Sequence, residues 1–280
     1  MRHEATTVLL FVSLLYEFDL RVDLPYCSGS FLFIRREQQM LPPNVSILRE
    51  DLCNAGKLLA NKGLVHSNLG TISSVLSRPG DCYLTKPAPV TYFEAVPEKF
   101  IVVNSKGDPK EADKARPSLN WLVHAECYRR RPDIGAVVHA HARHVVILAS
   151  MLTAEGEYRF DQIGLVTGEA TWLVKPVRGC FVESHSVGIP IVGNLDPAPL
   201  AIAVGVEIVR ANVVAIRNHG LIAVGRDIKE AVAAALVAEE EAAIIWGCSI
   251  NGNRPAYLSR ERIWYEVASM PPIFSLPFNG

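Results

Sequence analysis

Residues 137–144 read VVHAHARH, three histidines at the end of an apolar run. Successive side chains of an extended chain alternate between faces, so His139 and His141 share one face while Ala140 takes the other. Two imidazoles at that spacing can grip a single metal ion. A histidine pair in a strand is as readily a satisfied core feature, so the reading needs a third ligand. His219 offers one: it ends the apolar stretch NVVAIRNH (212–219), directly before Gly220, where a side chain can project from a sheet edge into a cleft. Three neutral histidines leave coordination positions open, the pattern of catalytic rather than structural metal sites. One divalent ion is expected there, and Zn2+, Mn2+ and Fe2+ all suit the ligand set.

The rest of the chain limits what such a site can serve. With 280 residues, 49% of them hydrophobic, the chain has ample material for a core. A net charge of −1 supplies no basic field for a phosphate backbone, which argues against nucleic acid and for a small-molecule partner. The six cysteines lie far apart with no C-x-x-C pair, as expected of reduced thiols in a cytoplasmic protein. TTVLLFVSLLYEF (6–18) is apolar behind Arg2, yet it lacks a small-x-small cleavage site. It is also shorter than the roughly 20 residues of a bilayer span, so no membrane association is expected. Residues 1–40 read as an N-terminal extension of unknown role, and 41–280 as one domain.

Within that domain, Val45, Leu48, Leu52, Ala55 and Leu59 mark a helical stripe ending near Gly63. Residues 67–81 predict short strands and a backbone-rich loop, and a helix follows from about Ser118 to Arg130, ahead of Pro132. IGAVVHAHA, TWLVKP and GIPIVG predict strands; 199–210 predicts a helix; 212–225 predicts strand, turn, strand. Asp227 and Glu230 form a capping pair for an alanine-rich helix reaching about Trp246.

HAECYRRRPDIGAVVHAHA (124–142) and IRNHGLIAVGRDIKEAVAAALVAEEEAA (216–243), in that order, resemble the class II aldolase/adducin family: a helix with H-x-x-x-Y-x-x-R-P-D, the H-x-H strand, and a distant N-H-G before a long helix. The resemblance implies an α/β fold with a single-domain mixed, largely antiparallel central sheet and helices on both faces. It implies a divalent metal held by His139, His141 and His219, and a homo-oligomer, with a tetramer favoured.

Departures from the family pattern shape the functional expectation. Family aldolases and epimerases carry a carboxylate four residues before the helix histidine; counting back from His124 gives Asn120. An amide cannot accept and return a proton as a carboxylate does, and losing such a base costs roughly 10²–10⁴ in rate. The phosphate-binding turns are altered too. GTIS (70–73) has Thr71 in place of asparagine and keeps Ser73, TKPA (85–88) has Ala88 in place of glycine, and Leu119 follows Ser118 where a second serine stands in the family. Decarboxylation has no need of that base, because its substrate is already an anion. The expectation is a metal-dependent carbon–carbon lyase, foremost a decarboxylase of a hydroxylated aromatic, heteroaromatic or related carboxylic acid. The alternatives are an aldolase or epimerase on a sugar phosphate, a non-haem iron oxidative decarboxylase of the aminocoumarin-pathway type, and a non-catalytic adducin-like scaffold.

Asn120, His124 and Tyr128, spaced to share one helix face, are the candidate catalytic residues, with Tyr128 a possible proton donor. Thr71, Ser73, Arg78, Lys86 and Ser118 are the candidate substrate-binding residues, the two cations for an anionic group. Glu126 is expected on the surface, His144 at an exposed strand end outside the ligand set, and Glu239–Glu241 on the solvated face of the long helix. The aromatic tail, with Trp264, Tyr265, Phe274 and Phe278, is expected either to close over a substrate ring or to pack against protein.

Overall fold

The computed structural model describes residues 45–77, 81–110, 115–174, 188–250 and 252–269. All lie in the unit Leu41–Gly280, one of the two into which the chain divides. In chain order the elements are α1 (Val45–Asn61), β1 (Thr71–Ser77), β2 (Cys82–Thr85), β3 (Ile101–Val103), α2 (Trp121–Arg130), β4 (Ala136–Ala140), α3 (Arg143–Ser150) and β5 (Gln162–Gly164). They continue with β6 (Gly188–Val192), α4 (Pro197–Glu207), β7 (Val213–Ile216), β8 (Gly220–Gly225), α5 (Ile228–Ile250) and α6 (Arg260–Ser269). Short 3-10 turns occupy Pro97–Lys99 and Gly168–Leu173.

The strands form one eight-stranded sheet in the order β3-β2-β1-β4-β8-β7-β6-β5. Its neighbours pair antiparallel except β6 and β7, which run parallel. Both faces are covered, and the pleat sorts the side chains between them. Ala136, Val138 and Ala140 of β4 pack with Leu52 and Leu59 of α1, Leu148 of α3 and Ala235 and Ala238 of α5. Val137 points the other way, into a cluster with Trp121 and Tyr128 of α2 and Leu200 and Val204 of α4. A strand covered on both sides reads as a continuous apolar run, which is why AVVHA shows little polar alternation. The fold is the mixed, largely antiparallel α/β domain that the resemblance implies.

Local chemistry accounts for the ends of the elements. Asp227 Oδ1 accepts the Glu230 N–H at 2.9 Å and Glu230 Oε2 accepts the Arg226 N–H at 2.7 Å, so the capping pair starts α5 as its spacing predicts. TWLVKP is not a strand in its described part. The Thr171 hydroxyl donates to the Gly168 carbonyl at 2.7 Å and closes a 3-10 turn, leaving Val174 one isolated bridge to Ala211. The acidic run on α5 also needs correction. Glu239 accepts the N–H groups of His144 and Val145 and bonds His144 Nδ1 at 2.8 Å, capping α3 from another helix. His144 is therefore in the first turn of a helix, not at a strand end. Glu241, buried, accepts the N–H groups of Val166 and Thr167 and the Thr167 hydroxyl. A carboxylate meeting three donors is stable without water, so neither residue belongs to a solvated face.

Candidate metal site

β4 and β8 lie side by side, with His139 opposite Ile222 and Ala140 opposite Leu221. The N-H-G turn between β7 and β8 therefore ends beside the end of β4. Asn218 adopts a left-handed conformation (φ 53°), which asparagine tolerates better than most residues, and the His219 N–H donates to the Ile216 carbonyl. Gly220 is required by close approach, since a Cβ there would come within 2.1 Å of the Ala140 carbonyl oxygen. Chain reversal and glycine together bring His219 to the two histidines of β4.

The three rings converge, with centroids 5.0 Å (His139–His141), 4.9 Å (His139–His219) and 5.2 Å (His141–His219) apart. One nitrogen from each lies within 4.8 Å of the others. His139 Nδ1–H donates to the Leu221 carbonyl at 3.0 Å, which leaves Nε2 as a lone pair. That Nε2 faces His141 Nε2 at 3.2 Å, and His219 Nδ1 is buried without a hydrogen-bond partner. All three rings are held below the usual imidazole range, His139 far below it and His141 down to about 4. Burial is the largest cause for each, and mutual repulsion adds to it for His139 and His141. Three neutral imidazoles with converging nitrogens and an unsatisfied buried atom among them fit a divalent metal.

α2 supplies the layer next to the triad. The register places Thr71 opposite His139 and Ser73 opposite Val137, so both β1 side chains face α2. The Ser73 hydroxyl bonds His124 Nδ1 at 2.7 Å and the Tyr128 hydroxyl at 2.8 Å, all three buried. His124 and Tyr128 thus share one face as their spacing predicts, but Ser73 joins them rather than standing apart as a substrate-binding residue. His124 Nε2 is buried and unpartnered, and burial holds this ring down to about 3. Asn120 sits at the N-terminal cap of α2 and makes no side-chain capping bond. Thr71 Oγ1 and Ser118 Oγ are 2.7 Å apart.

Two expected anion-binding cations part ways. Lys86 donates to the carbonyls of Asn68, Pro87 and Val90 at 3.2, 3.0 and 2.7 Å, which uses every ammonium proton. It is 2% exposed, so it pins the loop before β1 and has no donor left for a substrate anion. Arg78 lies outside the described residues, as do Phe274 and Phe278 of the tail. Glu126 is not free on the surface: it takes bidentate donation from Arg129 and a further bond from Arg130, which hold its carboxyl down to about 2.

His66 was not singled out by sequence reading. It is exposed on the loop before Gly70, and the His141 N–H donates to the Leu64 carbonyl at 2.7 Å, so this loop runs beside the triad. Its charge is felt at His141. Its only sequence signal is its place four residues before Gly70.

The family model described as Class II Aldolase and Adducin N-terminal domain matches residues 50–246, and the chain belongs to that family. It is thereby a member of a superfamily of metal-dependent lyases. Solved structures with the same fold include YgbL from Klebsiella pneumoniae, described as a candidate aldolase/epimerase/decarboxylase. That likeness has a TM-score of 0.64 at 22% identity over 79% of this chain and 98% of the other. An L-fuculose 1-phosphate aldolase is similar with a TM-score of 0.65 at 20% identity, over 80% of this chain and 95% of that one. The L-fuculose-1-phosphate aldolase of Thermus thermophilus is similar with a TM-score of 0.58 at 22% identity, over 75% and 98%. No helix among the described residues is long and apolar enough to cross a membrane.

Proposed function

We propose that this chain is a metal-dependent decarboxylase of a hydroxylated aromatic, heteroaromatic or related carboxylic acid. His139, His141 and His219 hold the metal, which when bound acts as a Lewis acid toward an oxygen next to the departing carboxylate. The observation that carries this reading is the chemistry around the triad. Asn120, whose amide can neither take nor return a proton as a carboxylate does, stands at the helix cap where the resemblance calls for a carboxylate. Retro-aldol cleavage needs a base at that position, whereas loss of neutral CO₂ does not call for one.

What the reaction does call for is a proton for the carbon left behind. Ser73 connects the Tyr128 hydroxyl to His124 Nδ1, and in the tautomer whose Nδ1 accepts from Ser73 the proton sits on Nε2, which is buried without a partner. We assign His124 Nε2–H the proton delivered to the product, with Nδ1 taking a proton from Ser73, Ser73 one from Tyr128 and solvent water returning one to Tyr128, while Asn120 orients the substrate or a water through its amide. Thr71 and Ser118 offer hydroxyls to a second polar group of the substrate. In the same reading the enzyme is a cytoplasmic homotetramer, its catalytic domain is 41–280, and no role is assigned to 1–40.

The test is CO₂ release from hydroxy-aromatic acids by freshly purified protein, with and without chelator. Turnover abolished by chelator and restored by Zn2+, Mn2+ or Fe2+ is expected. Chelator-insensitive turnover, substrate-dependent oxygen uptake at an electrode, or cleavage of phosphorylated polyols in preference to decarboxylation overturns it.

A further inference from the structure

The turn that carries His219 is gripped at its tip. β7 and β8 close on each other at Ile216 and Gly220, so Arg217, Asn218 and His219 make the connection between them. The Arg217 N–H donates to the Val192 carbonyl at 3.0 Å, and the Asn218 N–H to the Ser150 hydroxyl at 2.7 Å. The Arg217 side chain reaches further: Nη1 donates to the Ala149 carbonyl at 2.9 Å and Nη2 to the Phe160 carbonyl at 3.0 Å. Its guanidinium lies 3.8 Å from the centre of the Tyr158 ring and 3.6 Å from a carboxylate oxygen of Asp161. Only 12% of the side chain is exposed, so these bonds are sheltered from water.

Ala149 and Ser150 end α3, whose last carbonyls have no further turn to bond and whose C-terminal end favours a cation. The same helix begins two residues after His141. It thereby joins the ligand ahead of its start to the turn held at its end, and Arg217 supplies the side chain that closes the circuit. We infer that Arg217 is a positioning residue for the metal: held by Ala149 and Phe160 and braced by Tyr158, it locks the N-H-G turn so that His219 reaches the ion together with His139 and His141. Asn218 is left-handed (φ 53°), a conformation that is strained in a non-glycine residue and persists only where its surroundings over-determine it. With Arg217 released, the turn relaxes and the His219 ring leaves the other two. A lysine does not take its place, since one ammonium on a flexible stem cannot meet two carbonyls as a planar fork and lie flat on a ring at once. The inference rests on the triad as a metal site and is independent of decarboxylation.

Zinc affinity of the full-length protein, measured by competition with a chromogenic chelator, tests it without relying on turnover. Arg217→Met, which keeps the aliphatic bulk, should weaken zinc about 10–100-fold, and Arg217→Lys should not restore it. Tyr158→Phe retains the ring and should bind as wild type. The decisive comparison is with His219→Ala: because Arg217 acts through His219, adding Arg217→Met to that variant should weaken zinc no further. In cobalt-substituted protein the visible bands of Arg217→Met should move to those of His219→Ala. Circular dichroism checks the fold of each variant, and if Arg217→Met does not fold, Arg217→Lys carries the same comparison. Wild-type zinc affinity in Arg217→Met, full affinity in Arg217→Lys, or losses that add in the double variant overturn the inference. The two readings fail separately. Zinc uptake that depends on Arg217 without CO₂ release from any aromatic acid removes only the decarboxylase, and chelator-sensitive CO₂ release with zinc affinity unmoved by Arg217→Met removes only the clamp. A wild type that takes up no zinc, manganese or iron overturns both.

Discussion

Asn120 occupies the N-terminal cap of α2, four residues before the buried His124, and its side chain makes no capping bond. A carboxylate placed there gains from the positive end of the helix and regains the capacity to take a hydroxyl proton. Asn120→Glu is expected to raise retro-aldol cleavage of a phosphorylated substrate by about 10²–10⁴ over the wild-type background, measured as aldehyde release. No gain in a correctly folded, metal-loaded variant would show that the site differs from an aldolase in more than this residue. Sequence alone grouped Asn120, His124 and Tyr128 by helical spacing and His139 with His141 by strand alternation, and the structure brings the latter two together with His219. Sequence could not reach the role of Ser73, since the 2.7 and 2.8 Å bonds to His124 and Tyr128 span more than fifty residues of chain. It misassigned Lys86 for a related reason: a lysine reads as a cation for ligands until its three carbonyl partners are known.

Among the elements, α3 is the least legible. RHVVILAS carries β-branched residues that favour strand, and its N-cap Ala142 offers no side-chain cap. The missing cap comes from Glu239 of α5, 95 residues away, which meets two first-turn N–H groups and the His144 ring. This bond sits three residues beyond His141, so it also anchors the segment that presents a metal ligand. Glu239→Ala is expected to lower stability by about 1–2 kcal/mol in denaturant titration and to weaken zinc binding in a chelator competition. Glu239→Gln, which keeps an acceptor, should recover part of both. Unchanged zinc affinity in the alanine variant would confine Glu239 to helix stability. By contrast, α5 begins at a cap made from its own neighbours, Asp227 and Glu230, and that start was readable from spacing alone.

The molecule as a whole buries several imidazoles in neutral form, and that makes its stability depend on acidity. His124, fully buried, is pushed from the ordinary 6.5 to about 3. The unfolded chain therefore takes up its proton first as pH falls, so the contribution is complete above pH 6.5 and is lost progressively toward pH 3. For this one residue the loss reaches about 2 kcal/mol at pH 5. His139 is displaced in the same direction by burial and adds to the trend in metal-free protein. The urea midpoint of metal-free protein is expected to drop between pH 7 and 5, and His124→Gln should flatten the slope. A midpoint independent of pH over that range would rule out burial of these rings as neutral groups.

Local order in the chain was sufficient to determine the family, the alternation that makes β4 a two-sided core strand, the start of α5, and the three imidazoles of the candidate site. Each of these is a pattern of period two or 3.6, or a motif a few residues long, and short-range sterics and side-chain preference decide such patterns. Only tertiary structure decided which polar groups are spent on the fold and which are left for chemistry. Lys86, Glu239 and Glu241 satisfy distant backbone groups, whereas His124 Nε2 and His219 Nδ1 are buried without partners. The reason is that the cost of burying a polar atom depends on what meets it in space, and β1, β4, β8 and α2 bring those partners together from segments up to about a hundred and fifty residues apart.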